Sequence, residues 1–147
     1  MTQEQEFMKL LQQYEEAAGR FGTGDAEPVK GFFARGDVTL MGGVGGYSRG
    51  WEDVSSQLDR AASQFSGTKD HAWEYEPIHT GVDGNLAYAV VIEREKGVDV
   101  AGGDRSVTRE LRTTLIFHRQ DGEWKLVHRH ADPLGSERSA AELFSAR

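Results

Sequence analysis

Residues 106–133 are SVTRELRTTLIFHRQDGEWKLVHRHADP, which is the pattern of two β-strands joined by one tight turn. Asp121-Gly122 is the strongest hairpin signal in the chain, because a type I′ turn needs positive φ at both central residues. With these two residues as the loop, Phe117 is predicted to pair with Leu126 across the strands. Counting outward without interruption predicts three further pairs, which are Leu115 with His128, Thr113 with His130 and Thr114 with Arg129.

Alternation along the two strands then assigns each side chain to one of two faces of the sheet. The more apolar face is predicted to point into the protein, and it comprises Leu111, Thr113, Leu115, Phe117, Trp124, Leu126, His128 and His130. The other face comprises Arg112, Thr114, Ile116, His118, Lys125, Val127 and Arg129. Two histidines are therefore predicted among apolar neighbours.

Composition excludes several classes of protein. The 147 residues carry a formal charge of -7 with no basic cluster, which argues against binding to nucleic acid or to an anionic membrane. No cysteine is present, so disulfide and thiolate chemistry are excluded. The first residues, MTQEQEFMKLLQQYEE, lack the apolar run of a signal peptide or a membrane span. We expect a single-domain cytoplasmic protein.

The rest of the chain predicts helices first and strands afterwards. Thr2 and Gln5 match a capping box, and apolar residues then recur at helical spacing as far as Phe21. The other predicted helices are a short one after Asp25 and a longer one over residues 51–66. The predicted strands cover residues 38–41, 71–80 and 86–96 and the hairpin of residues 106–133, with a turn at residues 83–85. This order predicts an α+β fold with helices covering one face of a curved antiparallel sheet.

The order and lengths of these elements over about residues 6–133 resemble the superfamily of nuclear transport factor 2, ketosteroid isomerase and SnoaL-like polyketide cyclases. The segment FHRQDGEWKLVHRHADP, residues 117–133, resembles the last hairpin of SnoaL-like proteins and of the association domain of calcium/calmodulin-dependent kinases. The resemblance implies a cone-shaped fold with three N-terminal helices packed on a strongly curved, mostly antiparallel sheet. It implies one domain over residues 1–133. In the tail that follows, residues 134–147, the capping pattern of Ser139 with Glu142 predicts a short helix.

The specific residues of a ketosteroid isomerase are missing. That family places a general-base aspartate at the end of the first strand and a hydrogen-bonding tyrosine in the first helix. Here Met41 or Gly42 stands at the position of the base, and Ala17 at that of the tyrosine. We therefore reject the steroid isomerase activity, because its base and its proton donor are both absent.

His128 and His130 are the candidate catalytic residues, since they lie two apart on one strand and titrate near neutral pH. The alternative is that both histidines are structural and hydrogen-bonded. Together with Asp132 they could ligate a metal, but this spacing is unspecific, so we predict no metal and no cofactor.

The candidate substrate-binding residues are aromatic or polar side chains near the predicted pocket, namely Tyr14, Tyr47, Trp51, Tyr88, Glu93 and Thr113. Two of them are alternatives, because residues 86–96 are apolar on both sides and periodicity does not choose the inward face. If Glu93 points inward, it is a buried carboxyl and a candidate general base with a raised pKa. If Tyr88 points inward, it is the pocket residue instead.

The predicted function is a SnoaL-like protein that binds a small organic molecule in an apolar pocket, with cofactor-free acid/base chemistry of a lyase, isomerase, cyclase or hydrolase. The alternative is a non-catalytic binding or assembly domain like the kinase association domain, so whether the chain is an enzyme stays open. Both alternatives predict a homodimer through the outer face of the sheet, where Ile116 and Val127 need a partner.

Overall fold

The structure is a computed structural model that describes residues 1–66, 72–100 and 106–145. In these ranges the helices are α1 (Gln3–Phe21), α2 (Glu27–Lys30), α3 (Trp51–Ala62) and α4 (Ala140–Ser145). The strands are β1 (Thr39–Gly42), β2 (Gly45–Arg49), β3 (Ala72–Asp83), β4 (Leu86–Asp99), β5 (Ser106–Gln120) and β6 (Glu123–Pro133). They form one sheet in the order β2-β1-β6-β5-β4-β3, antiparallel except where β1 runs parallel to β6. The predicted α+β fold with a curved, mostly antiparallel sheet is confirmed.

The first helix begins where the sequence predicts. Thr2 and Gln5 form a complete capping box, with each side chain bonded to the other residue's backbone N–H. Its apolar stripe, which includes Phe7, Leu11 and Tyr14, is buried against the inner face of the sheet. The helix therefore supplies one wall of the interior.

Helix α3 is shorter than predicted. Helix α3 ends at Ala62 rather than near residue 66, because the chain beyond it becomes extended: Phe65 forms a β-bridge with Val100 and Ser66 donates to the Asp99 carbonyl. In the tail, Ser139 caps the short helix α4 as predicted, accepting a hydrogen bond from the Glu142 backbone N–H.

The glycine-rich stretch at residues 42–46 is the turn of a hairpin between β1 and β2, and strand β2 was not predicted. Gly45 and Gly46 both have positive φ, at 97° and 72°, which residues with a side chain adopt at a cost. The turn packs at one end of the sheet, where it closes part of the interior described below.

The turn that joins β5 to β6 has the predicted conformation. Asp121 and Gly122 have φ of 51° and 81°, as a type I′ turn requires, and Phe117 pairs with Leu126. Beyond that pair the predicted register is wrong. Val127 is an extra residue in β6, a β-bulge, so every later residue of β6 is shifted by one position against β5. The observed pairs are Ile116 with His128, Leu115 with Arg129, Thr114 with His130 and Thr113 with Ala131.

The bulge lies where the edge of β6 that faces away from β5 changes its hydrogen-bonding partner. Before the bulge, Leu126 donates to the Phe32 carbonyl and accepts from the Ala34 N–H. After the bulge, the same edge pairs with β1 instead, beginning at His128. Because side chains alternate along a strand, the extra residue turns Arg129 inward and both neighbouring histidines outward.

The inner face of β4 carries Ala89, Val91, Glu93 and Glu95, all of which are buried. This answers the question that periodicity left open: Glu93 points inward and Tyr88 outward. Predictions that concern His71 and the loop at residues 101–105 lie outside the described residues. In the described part of the chain, no helix is long and apolar enough to cross a membrane.

We predict that Gly122→Ala lowers the free energy of unfolding by about 1 kcal/mol or more, because alanine resists positive φ. Urea denaturation followed by circular dichroism measures this change. Gly36→Ala is the matched control, since Gly36 lacks a positive φ and an added Cβ would contact nothing within 4 Å. Equal stability of the two variants would contradict the turn assignment.

Candidate functional site

A cavity of about 40 Å³ lies inside the fold, between the helices and the inner face of the sheet. Much of its wall is apolar, with Phe21, Leu58, Phe65 and Trp73 among the lining side chains. Its polar lining comprises Tyr14, Gln57, Glu95, Arg109 and Arg129. The volume exceeds the 10–15 Å³ or so that one water needs, but it is well below the roughly 150 Å³ of a cavity that admits benzene. The enclosed part therefore suits a small chemical group.

Four charged side chains form a row beside this cavity. Glu93 is fully buried and accepts two hydrogen bonds from Arg129, at 3.1 and 3.2 Å. Glu95 is 1% exposed and accepts one from Arg109 Nε at 2.7 Å. Because Glu93 and Glu95 lie two apart on β4, their carboxyl groups share a face. Glu95 Oε2 is buried without a hydrogen-bond partner among the described residues, so a proton held between the two carboxyls would satisfy it. The row runs from Arg109 through both carboxyls to Arg129.

The two carboxyls of the row have pKa values displaced in opposite directions. Burial opposes ionisation of Glu93, but the charge of Arg129 and hydrogen bonds from its neighbours outweigh it and lower the pKa of Glu93. Burial raises the pKa of Glu95 to about 8, and the hydrogen bond and negative charge of Glu93 add to that rise, against Arg109. At neutral pH one proton is therefore held on Glu95 and shared with Glu93.

Two tyrosines, Tyr14 and Tyr75, lie beside Glu93 at one end of the row. Burial raises the pKa of Tyr14 and raises that of Tyr75 further, so both phenols are neutral over the physiological range. The Tyr75 hydroxyl has no hydrogen-bond partner by geometry within the described residues, although it lies beside Glu93.

The turn between β1 and β2 covers one side of the cavity. Arg109 Nη1 donates to the Gly43 carbonyl at 3.2 Å, and Gln57, held by Ser48, donates to the Gly45 carbonyl. Val44 lines the cavity and is 44% exposed, whereas Tyr14 and Glu95 are almost fully buried. The mouth of the cavity is therefore at this turn, and its floor is at the carboxyl pair.

Among the predicted substrate-binding residues, three lie in the interior. Tyr14 lines the cavity, Glu93 lies in the charged row, and Thr113 is buried on the inner face of β5. Thr113 Oγ1 has no partner among the described residues. A raised pKa for Glu93, expected from burial alone, is wrong, because Arg129 compensates its charge.

The other three predicted substrate-binding residues do not line the cavity. Tyr47 is 71% exposed on β2. Trp51 packs on Phe33 and stacks under the Arg35 guanidinium at 3.9 Å. Tyr88 lies on the outer face of the sheet, where its hydroxyl is 2.6 Å from His79 Nε2.

The predicted placement of His128 and His130 on the inner face is wrong, for the reason that the bulge gives. His128 lies on the outer face, with Nδ1 2.7 Å from Thr39 Oγ1, and burial together with the charge of His130 lowers its pKa. His130 is exposed and lies 3.7 Å from Asp132. No group of three or more metal-ligating side chains converges within the described ranges.

Sequence reasoning missed Glu95, Arg109 and Arg129 as cavity residues. Glu95 was detectable, because any inward placement of Glu93 brings the residue two positions later with it. Arg129 was not, since its placement depends on a bulge that has no signature in the sequence. In the sequence Arg109 cannot be told from a surface arginine, because its ion pair with Glu95 appears only in the folded structure.

The α+β fold of this chain is shared by solved structures of the nuclear transport factor 2-like class. A superfamily protein of that class from Salmonella enterica shares 16% identity, with a TM-score of 0.75 over 92% of this chain and 94% of that one. The chain belongs to the SnoaL-like domain family, whose profile matches residues 8–133. None of the curated proteins matches this chain.

Other solved structures share the fold with different descriptions. A candidate dehydratase of the NTF2-like family from Streptomyces avermitilis is 19% identical, with a TM-score of 0.64 over 85% of this chain and 91% of that one. A candidate calcium/calmodulin-dependent protein kinase II association domain from Xanthomonas campestris is 15% identical, with a TM-score of 0.69 over 93% and 91%. At these identities the similarity establishes the fold alone.

We predict that the Glu95→Gln substitution removes a pH-dependent contribution to the free energy of unfolding. The pKa of Glu95 is higher in the folded protein than in the unfolded chain. Between about pH 4.5 and 8 the unfolded chain therefore binds fewer protons than the folded protein, and the wild type loses stability as pH rises through that range. The advantage of wild type over Glu95→Gln should fall with pH by up to about 1.4 kcal/mol per unit. Urea denaturation from pH 5 to 9 measures it.

Glu74→Gln is the control for this prediction, because Glu74 is an exposed carboxylate on β3 that pairs with Lys96 away from the cavity. A constant difference between wild type and Glu95→Gln from pH 5 to 8 would show that Glu95 ionises normally.

Proposed function

We propose that this SnoaL-like protein binds a small organic molecule in its cavity and that Glu95 exchanges a proton with it. The observation that carries the proposal is a buried carboxyl, Glu95, that lines the cavity and has one oxygen, Oε2, without a hydrogen-bond partner among the described residues. Burial there raises its pKa to about 8. Such a group holds a proton at neutral pH and releases it readily, which suits general acid/base chemistry. Glu95 thus takes the role that the sequence suggested for His128 and His130.

The surroundings of Glu95 support this role. Glu93 is held ionised by Arg129, so it can take the proton that Glu95 carries and leave Glu95 as a carboxylate. That carboxylate can then accept an α-proton from the bound molecule, and both protons return by the same path when the carbon is reprotonated. The walls of the cavity are apolar, which strengthens electrostatic interactions inside it. The proposed reaction class is proton transfer at a carbon next to a carbonyl group, without a cofactor.

Small carbonyl compounds that bind the cavity are the test substrates. Binding should perturb backbone amide NMR signals of cavity residues, such as Leu58 and Ala61, and bound compounds should exchange α-protons for deuterium in D2O. Glu95→Gln should slow that exchange by a factor of about 10² or more, the usual contribution of a general acid or base. Glu74→Gln should leave the rate unchanged. Binding with equal exchange rates in both variants would leave a binding protein without this chemistry.

The second candidate function is assembly, and the outer face of the sheet favours it. Tyr88, Val90, Ile92 and Ile116 form a half-buried strip there. The charges beside the strip are compensated within the chain, because Arg94 pairs with Glu76 and Glu110 and Arg112 pairs with Asp132. An apolar strip flanked by neutralised charges can be buried against a second copy at a modest desolvation cost.

We predict a homodimer through this outer face, with a mass near twice the 16.3 kDa of the chain by light scattering at micromolar concentration. Ile116→Glu should yield monomers, because a carboxylate would be buried in the interface. Leu143→Glu is the control, since Leu143 is an exposed apolar residue on α4, away from the sheet. A wild-type mass near 16.3 kDa would contradict the dimer.

A further inference from the structure

Two hydrogen-bond donors of the cavity lining, one on Arg109 and one on Trp73, have no acceptor in the described part of the chain. Arg109 uses Nε for Glu95 and Nη1 for the Gly43 carbonyl, whereas its Nη2 bonds to no described residue. The Arg109 side chain is 31% exposed, so this donor is open to water or to a ligand. Trp73 lines the cavity, is more than nine-tenths buried, and its Nε1–H also has no acceptor among the described residues. A buried indole N–H normally has a partner, so an acceptor is missing at this site.

The charges of the side chains that line the cavity also indicate a hydrogen-bond acceptor that is negatively charged. Arg109 and Arg129 both line the cavity, and Glu93, behind Arg129, compensates one of them. Glu95 carries the shared proton at neutral pH and adds little negative charge. The four groups of the row therefore sum to about one positive charge in an apolar cavity, which an anion would neutralise.

From these donors and this charge balance we infer that the ligand is a small organic monoanion, whose carboxylate lies inside the cavity against Arg109 and Trp73. This inference rests on the proposed binding function and names the class of ligand. The small enclosed volume fits a carboxylate headgroup, and the mouth beside Val44 leaves room for the rest of the molecule. Arg109 is the better anchor, because both terminal nitrogens of Arg129 are already bonded to Glu93.

The experiment compares carboxylates with their neutral amides of nearly equal shape. Acetate, propionate and benzoate are titrated at pH 7 against acetamide, propionamide and benzamide, with backbone amide NMR signals as the readout. We expect each carboxylate that binds in the cavity to bind at least tenfold more tightly than its amide. Equal binding of acid and amide in the cavity would overturn this inference while the proposed binding function stands. Failure of both series to perturb cavity signals would overturn both.

Two pairs of variants locate the anion. Arg109→Gln should abolish the preference for carboxylates, whereas Arg112→Gln, on the opposite face of the same strand, should retain it. Trp73→Phe should weaken carboxylate binding severalfold, whereas Trp124→Phe should not, although its Nε1 is also buried without a partner in the described residues. Loss of the preference in the control variants alone would contradict the assigned site.

The pH dependence provides a further check. As pH rises through about 8, Glu95 ionises and adds a negative charge beside Glu93. Arg109 and Arg129 stay charged, and Tyr14 and Tyr75 stay neutral because burial raises the pKa of both phenols. Carboxylate affinity should therefore fall at least tenfold between pH 7 and pH 9.5 in wild type, and should not fall in Glu95→Gln. An unchanged wild-type affinity would overturn the charge balance.

Discussion

The ion pair between Glu93 and Arg129 is the interaction on which the interior of this protein depends. It joins β4 to β6 across the strand that separates them, with both carboxylate oxygens bonded to the guanidinium. Neither charge could remain in this apolar interior alone, and breaking such a pair typically costs about 3–5 kcal/mol. The pair exists because the bulge at Val127 turns Arg129 inward. One inserted residue in an interior strand of the sheet thus determines the electrostatics of the core.

The ion pair also sets the properties of Glu95. A second carboxyl beside an ionised one, in a buried position, is driven to keep its proton. Arg109 offsets that tendency in part, and it connects the carboxyl pair to the turn that covers the mouth of the cavity. The acid/base group, the positive charge and the covering turn are therefore parts of one hydrogen-bonded row. A change at either end of that row alters the charge that a bound molecule meets.

The SnoaL-like fold alone does not choose between chemistry and assembly, because one scaffold of this kind supports both. In this chain the two proposed functions belong to opposite faces of the same strands. On β4, Glu93 and Glu95 lie on the inner face, where Glu95 lines the cavity, while Tyr88 and Ile92 point to the outer face. The alternation of a β-strand separates the two surfaces, so binding inside and association outside can coexist.

The sequence by itself determined the elements whose cause is local. The capping box at Thr2, the type I′ turn at Asp121-Gly122 and the helix-then-strand order each follow from residues close together in the chain, and they predicted the α+β class. Only the tertiary structure decided which face of β4 points inward. Both faces are apolar in sequence, and the inward face is the one on which the helices pack. It also decided the register of β6, because the bulge arises where two different segments share one edge of the strand. With that register Arg129 lies in the interior, where the two histidines had been predicted.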